Sequence, residues 1–141
     1  MTLRSLIAGG LLALACTAHA HDAPATPEPI PLDQLSNVFG WSFDMPVFSE
    51  RVTDDLHVLF GVGGNIAVSI GDDGVLIVDD QFPQMMGKIK GAVRKLGGEK
   101  IDTAIVTHWH FDHAEGNLAL GPEGTLLVAQ KNSRDMMADD H

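Results

Sequence analysis

The stretch that decides how this chain is read runs from Ile101 to Asn117, "IDTAIVTHWHFDHAEGN". Its first seven residues, Ile101 to Thr107, are mainly β-branched and apolar, which predicts a strand. Four potential metal donors follow at once: His108, His110, Asp112 and His113. The carboxyl ends of strands in open α/β sheets are where ligands bind. Loops leaving such ends can also turn several side chains toward one point. His108 and His110 are two positions apart, so in extended backbone they face the same way. Asp112 and His113 are adjacent and can serve a neighbouring point. Imidazole nitrogen and carboxylate oxygen both suit zinc. A solvated histidine run would have no strand before it and no aspartate at a set place. A purification tag would sit at a terminus, and a core histidine would stand alone. The residues therefore point to a metal site.

The surroundings predict an α/β fold. Leu56–Phe60, Asn65–Ile70 and Val75–Val78 read as three strands, with Gly61, Gly63 and Gly64 marking the bend between the first two. Asp72-Asp73-Gly74 is a hairpin turn, because glycine accepts positive φ. Val75–Val78 is apolar on both faces, which predicts burial on both. Met86, Ile89, Val93 and Leu96 fall on one face of a helix, with Lys88, Lys90, Arg94 and Lys95 covering the rest. Gly97-Gly98 caps that helix. Beyond the histidines, Ala114–Leu120 reads as a short helix and Gly121–Gly124 as a turn. Leu126–Ala129 is a strand, and Asn132–Met137 begins a helix.

The amino-terminal third is organised differently. Residues 1–20 carry one early positive charge, Arg4, an apolar run from Leu6 to Ala15, and small residues ending in Ala18-His19-Ala20. That layout predicts a signal peptide cut after Ala20. The run is too short for a permanent span, so the mature chain is expected to have no transmembrane segment. The protein is expected to be exported, to the periplasm or the medium. Cys16 in "LALAC" offers the alternative of a lipid anchor, although Ala13 is smaller than the leucine such sites usually carry. Cys16 is the single cysteine of the chain, so its removal leaves no disulfide and no thiol nucleophile. Residues 21–31, "HDAPATPEPIP", hold four prolines and read as an extended tether. His21 at a new amino terminus could chelate copper, but an incidental place on the tail is favoured. Residues 32–141 are the remaining domain. Within it Phe39, Trp41, Phe43 and Phe48 are expected to pack this segment onto the core rather than line a substrate mouth. The net charge of −10 excludes nucleic acid as a partner, because phosphate contacts need clustered Lys and Arg. The expected partner is a small-molecule substrate.

"HWHFDH" matches the H-x-H-x-D-H signature of the metallo-β-lactamase superfamily, and the resemblance extends over Leu56–Met137. "VLIVDDQF" resembles the family's strand ending in aspartate, with Asp79 the matching carboxylate and Asp80 beside it. "GNIAVSIGDDGVLIVDD" is similar to the paired strands before the metal loop, and "LLVAQKNSRDMM" to the strand and helix after it. The resemblance implies an α/β fold of the αββα sandwich type, with metals at one edge of its two sheets. It implies zinc, two ions per complete site: His108 and His110 for the first, Asp112 and His113 for the second. Asp112 is implied as the catalytic residue, holding the attacking water. Asp79 is implied to hold a ligand or the loop by hydrogen bonds. Zinc lowers the pKa of bound water to about 7 and polarises a carbonyl or phosphoryl oxygen. Trp109 and Phe111, alternating with the ligands, are read as packing that fixes the loop.

The family pattern also contains later ligands: a further histidine, a bridging aspartate or cysteine, and a final histidine. After His113 the sequence has only His141, directly behind the first strand and helix beyond the loop. Asp135, Asp139 and Asp140 have no matching motif. The expectation is therefore the amino-terminal half of the sandwich, a fragment of a zinc-dependent hydrolase that is inactive alone. Its substrate is left open among β-lactams, thioesters and other esters. The alternative is a non-catalytic half-domain that binds metal or associates with itself, since half a sandwich leaves an apolar face bare.

Overall fold

Six short strands, four of them with alternating burial, carry the architecture of residues 32–138, the part of the chain that the computed structural model describes. The expected signal peptide, the proline-rich tether and His141 lie outside it. The strands are β1 (Phe48–Arg51), β2 (Leu56–Phe60), β3 (Ile66–Gly71), β4 (Gly74–Val78), β5 (Thr103–Val106) and β6 (Leu126–Ala129). They form one sheet in the order of the sequence. β1 to β4 are antiparallel neighbours, whereas β4–β5 and β5–β6 are parallel. Parallel neighbours need crossover connections. α2 (Met86–Lys95) lies in the first, and α3 (Phe111–Ala114) and α4 (Asn117–Leu120) lie in the second. α1 (Leu32–Phe39) precedes the sheet and α5 (Lys131–Ala138) follows it.

The core lies on one face. Leu59, Ile66, Val68, Val75, Ile77 and Ala104 of the strands are buried together with Met86, Ile89 and Val93 of α2. The register lines up the other face in two rows: Leu56, Ser69, Leu76, Thr103, Leu126, and Val58, Ala67, Val78, Ile105, Val128. This face is only partly shielded, and Leu126 and Val128 at its edge are 63% and 42% exposed. β4 thus departs from the expectation of burial on both faces. Val75 and Ile77 are buried, while Leu76 and Val78 are half-buried. Apolar composition records that a face is suited to cover, not that a described element covers it.

Other boundaries move for local reasons. β5 stops at Val106, because the Thr107 amide and hydroxyl turn to a side chain, Asp79, instead of the ladder. The helix expected over Ala114–Leu120 begins earlier and breaks at Glu115-Gly116 into α3 and α4. Leu32–Glu50, where no periodicity predicts an element, contains α1 and all of β1 but Arg51. Trp41 and Phe43 do pack on the core through Phe82, at ring distances of 5.3 and 5.1 Å. Phe48 differs from the expectation and stays exposed, while Phe39, also exposed, stacks on Trp41 at 4.7 Å. Gly74 at φ 110° makes the hairpin turn, and Gly97 at φ 102° follows α2. Among the described residues, no helix is long and apolar enough to cross a membrane.

Candidate metal centre

The site begins where β4 ends. Asp79 and Gln81 both take positive φ, 64° and 56°, and so turn the chain sharply out of the strand. The Asp79 amide donates to the Ile105 carbonyl at 2.8 Å, which fixes it against β5. Its buried carboxylate then gathers the loop. Oδ1 accepts from the Thr107 amide at 2.8 Å and from the Thr107 hydroxyl at 2.9 Å. Oδ2 lies 2.7 Å from His113 Nδ1. One side chain therefore ties the start of the loop to its last donor. With Nδ1 engaged, Nε2 is the nitrogen left to bind, and it lies 3.4 Å from Asp112 Oδ2.

The other two histidines come alongside without the extended backbone expected for them, since Thr107 to Trp109 form bends. The His108 ring centre is 4.7 Å from that of His110 and 4.2 Å from that of His113. Thr107 Oγ1 is 2.9 Å from His108 Nδ1. The His110 carbonyl accepts from the amides of His113 and Ala114 at 3.0 and 3.1 Å, so Asp112 and His113 sit in the first turn of α3. Phe111 anchors that turn, with its ring 5.8 Å from Trp41 and 6.2 Å from Phe82. Trp109 is not buried in the same way: it is 41% exposed and stands edge-on to His110 at 4.8 Å.

Three features lay outside the sequence reading. The glycine bend between β2 and β3 is shaped to the donors: a Cβ on Gly64 would come within 2.3 Å of the His113 ring, and one on Gly63 within 2.8 Å of Asp112 Cβ. The Gly64 amide also donates to the Asp112 carbonyl at 3.2 Å. Next, Asp80 lies fully buried beneath the loop, with its amide donating to the His113 carbonyl at 2.9 Å. Neither Asp80 carboxylate oxygen has a hydrogen-bond partner among the described residues. Burial, reinforced by the neighbouring Asp79 charge, pushes its pKa up to about 7; the Gly116 amide opposes this. Last, Glu115, at the end of α3, is also shifted upward by burial. Contacts of this kind join residues far apart in sequence, and no local pattern announces them.

Donor type and pairing suit zinc, and the glycine cradle and the Asp79 bond suit a fixed His113 ligand. Among the described residues, no three His, Cys, Asp or Glu side chains converge closely enough to enclose an ion. The His108 ring lies nearer to His113 than to His110, so the donors are neighbours without closing a set around one point.

Comparison with known proteins bears on the fold that carries these residues. Residues 59–124 match the family described as the metallo-beta-lactamase superfamily. The fold matches that of the metallo-β-lactamase FIM-1 from Pseudomonas aeruginosa in its mono-zinc form, with a TM-score of 0.59 and 23% identity over 68% of this chain and 47% of that one. Over these residues the chain is similar to the metallo-β-lactamase superfamily, and its fold is that of part of such a domain. A B3 metallo-β-lactamase with an active-site glutamic acid is similar at 27% identity and TM-score 0.59, over 72% of this chain and 38% of that one. BJP-1, a subclass B3 metallo-β-lactamase of Bradyrhizobium japonicum, is similar at 27% identity and TM-score 0.56, over 67% of this chain and 37% of that one. A curated relative is the coenzyme F420H(2) oxidase of Methanothermobacter marburgensis, 29% identical over 62 residues, which are 41% of this chain and 15% of the oxidase. The chain spans less than half the length of each of these relatives.

Proposed function

We propose that this chain supplies the first metal-binding loop of an exported zinc-dependent hydrolase that acts on a small molecule with a scissile lactam, thioester or ester carbonyl. His108 and His110 are assigned to one ion, and Asp112 and His113 to a second. The observation that carries this reading is the 2.7 Å bond between Asp79 and His113, which keeps the ring proton on Nδ1 and presents the Nε2 lone pair beside Asp112. Zinc bound there supplies Lewis acidity and a water that ionises near neutral pH. Asp112 would orient that water and accept its proton through Oδ2. The ligands that complete each shell are assigned to parts of the domain outside residues 32–138. The β-lactamase likeness supports hydrolysis more broadly than the oxidase likeness supports redox chemistry, since it covers 72% of the chain against 41%. The export assignment rests on Arg4, the Leu6–Ala15 run and Ala18-His19-Ala20.

Zinc titration of the full chain tests the loop assignment. Weak binding is expected. His108→Ala or His110→Ala should remove one part of it, and Asp112→Ala or His113→Ala the other. Tight zinc binding that survives replacement of all four residues would overturn the reading. For export, intact mass of periplasmic material should place the amino terminus at His21. A cytoplasmic product that retains Met1 would refute it, and a lipid on Cys16 would replace the soluble form with an anchored one.

A further inference from the structure

The bend from Gly61 to Gly64 closes around one buried amide. Gln81 is 1% exposed, and its Nε2 donates to the Gly64 carbonyl. Its Oε1 lies against Gly61, where a Cβ would come within 2.7 Å of it. Gly64 in turn faces the metal loop. Its amide donates to the Asp112 carbonyl at 3.2 Å, and the His113 ring lies over its Cα too closely for any side chain to intervene. The main chain of Gln81 reaches the same helix from the other end, because its carbonyl accepts from the Gly116 amide at 2.9 Å. Gln81 is therefore joined to the bend by its side chain and to the exit of α3 by its backbone. These bonds of Gln81 go to glycine main chain and not to the four donors.

The backbone of Gln81 sharpens the argument. It holds φ 56°, a region that glycine enters freely and a longer side chain enters at a cost. A turn alone would be better made by glycine. Hydrocarbon of the same size would fill the space but leave the Gly64 carbonyl without this donor. Gln81 combines the positive-φ turn with a donor for the Gly64 carbonyl.

We propose that Gln81 is a positioning residue for the Asp112–His113 pair, acting through Gly64 to set the height and tilt at which those two side chains meet. Its purpose rests on the metal-loop reading, while its mechanical role does not. The test uses the full chain with two variants, Gln81→Met, which keeps the bulk, and Gln81→Glu, which keeps the shape but loses the N–H donor at neutral pH. Two measurements are made: amide hydrogen exchange at Gly64 without metal, and titration with Co2+ followed by its visible absorption. In the Met variant the Gly64 amide should exchange faster. Affinity for the cobalt held by Asp112 and His113 should fall roughly 10–100-fold, the range for lost outer partners of metal ligands, with the other equivalent unchanged. Unchanged exchange, or equal loss of both cobalt equivalents, would overturn the proposal, since the first denies the coupling and the second marks general damage to the fold. Should the Met variant fail to fold, the Glu variant decides by the same readouts. If the parent chain takes up no cobalt, the zinc reading fails, and Gly64 exchange alone decides the role of Gln81.

Discussion

Two adjacent carboxyl groups at the end of β4 live in opposite circumstances. Asp79 is surrounded by donors, whereas the Asp80 oxygens have no hydrogen-bond partner of good geometry among the described residues. Asp80 ionises with a pKa of about 7 when folded, against 3.8 for the ordinary group. Between those values the unfolded chain has released this proton and the folded chain retains it, so stability falls as pH rises through that window. The metal-free chain should be more stable at pH 5 than at pH 8 by roughly 2–3 kcal/mol from this group, and Asp80→Asn should remove most of the difference in urea melts. Asp79 behaves differently under substitution. Asn also tolerates positive φ, so Asp79→Asn keeps the turn and isolates the hydrogen bonds. Zinc affinity measured against a chelating dye should drop about 10–100-fold, because His113 loses the acceptor that fixes its ring.

At the level of elements, glycines separate packing from propensity. Gly87 lies in α2 with open space around it, whereas Gly64 lies beneath the His113 ring. Gly87→Ala should raise stability by about 0.5–1 kcal/mol in thermal melts, since alanine loses less backbone freedom in a helix. Gly64→Ala should lower zinc affinity, because the ring it displaces is the one that Asp79 holds through Nδ1. The difference explains what was legible beforehand. α2 could be read because Met86, Ile89 and Val93 repeat with the helical period, and β2 to β4 because apolar runs are punctuated by Gly61 to Gly64 and Gly74. The clustering of donors after β5 was equally visible, being local in sequence. α1 and β1 were not visible: β1 is a four-residue edge strand exposed throughout, so burial left no alternation to find. Gly63, Gly64 and Gln81 were read only as turn residues or not at all, since the Gly64–Asp112 bond spans far more chain than any periodicity samples.

For the molecule as a whole, the partly shielded sheet face is the feature with the most direct solution consequence. Ten aligned positions, eight of them apolar, are incompletely covered, and β6 presents Leu126, Leu127 and Val128 at an open edge. Such surfaces associate or bind apolar probes. The full chain should enhance the fluorescence of an apolar dye and sediment faster as concentration rises, and Leu126→Lys with Val128→Lys should reduce both without lowering the melting temperature. The strand order has a consequence of another kind. Each strand pairs with the one that precedes it in the chain. Among the described strands, a polypeptide emerging amino end first from the ribosome can therefore add each strand to a sheet edge already made. By the time His113 is synthesised, the carboxylate that will hold its ring has already been made, at the end of a hairpin that can close without it.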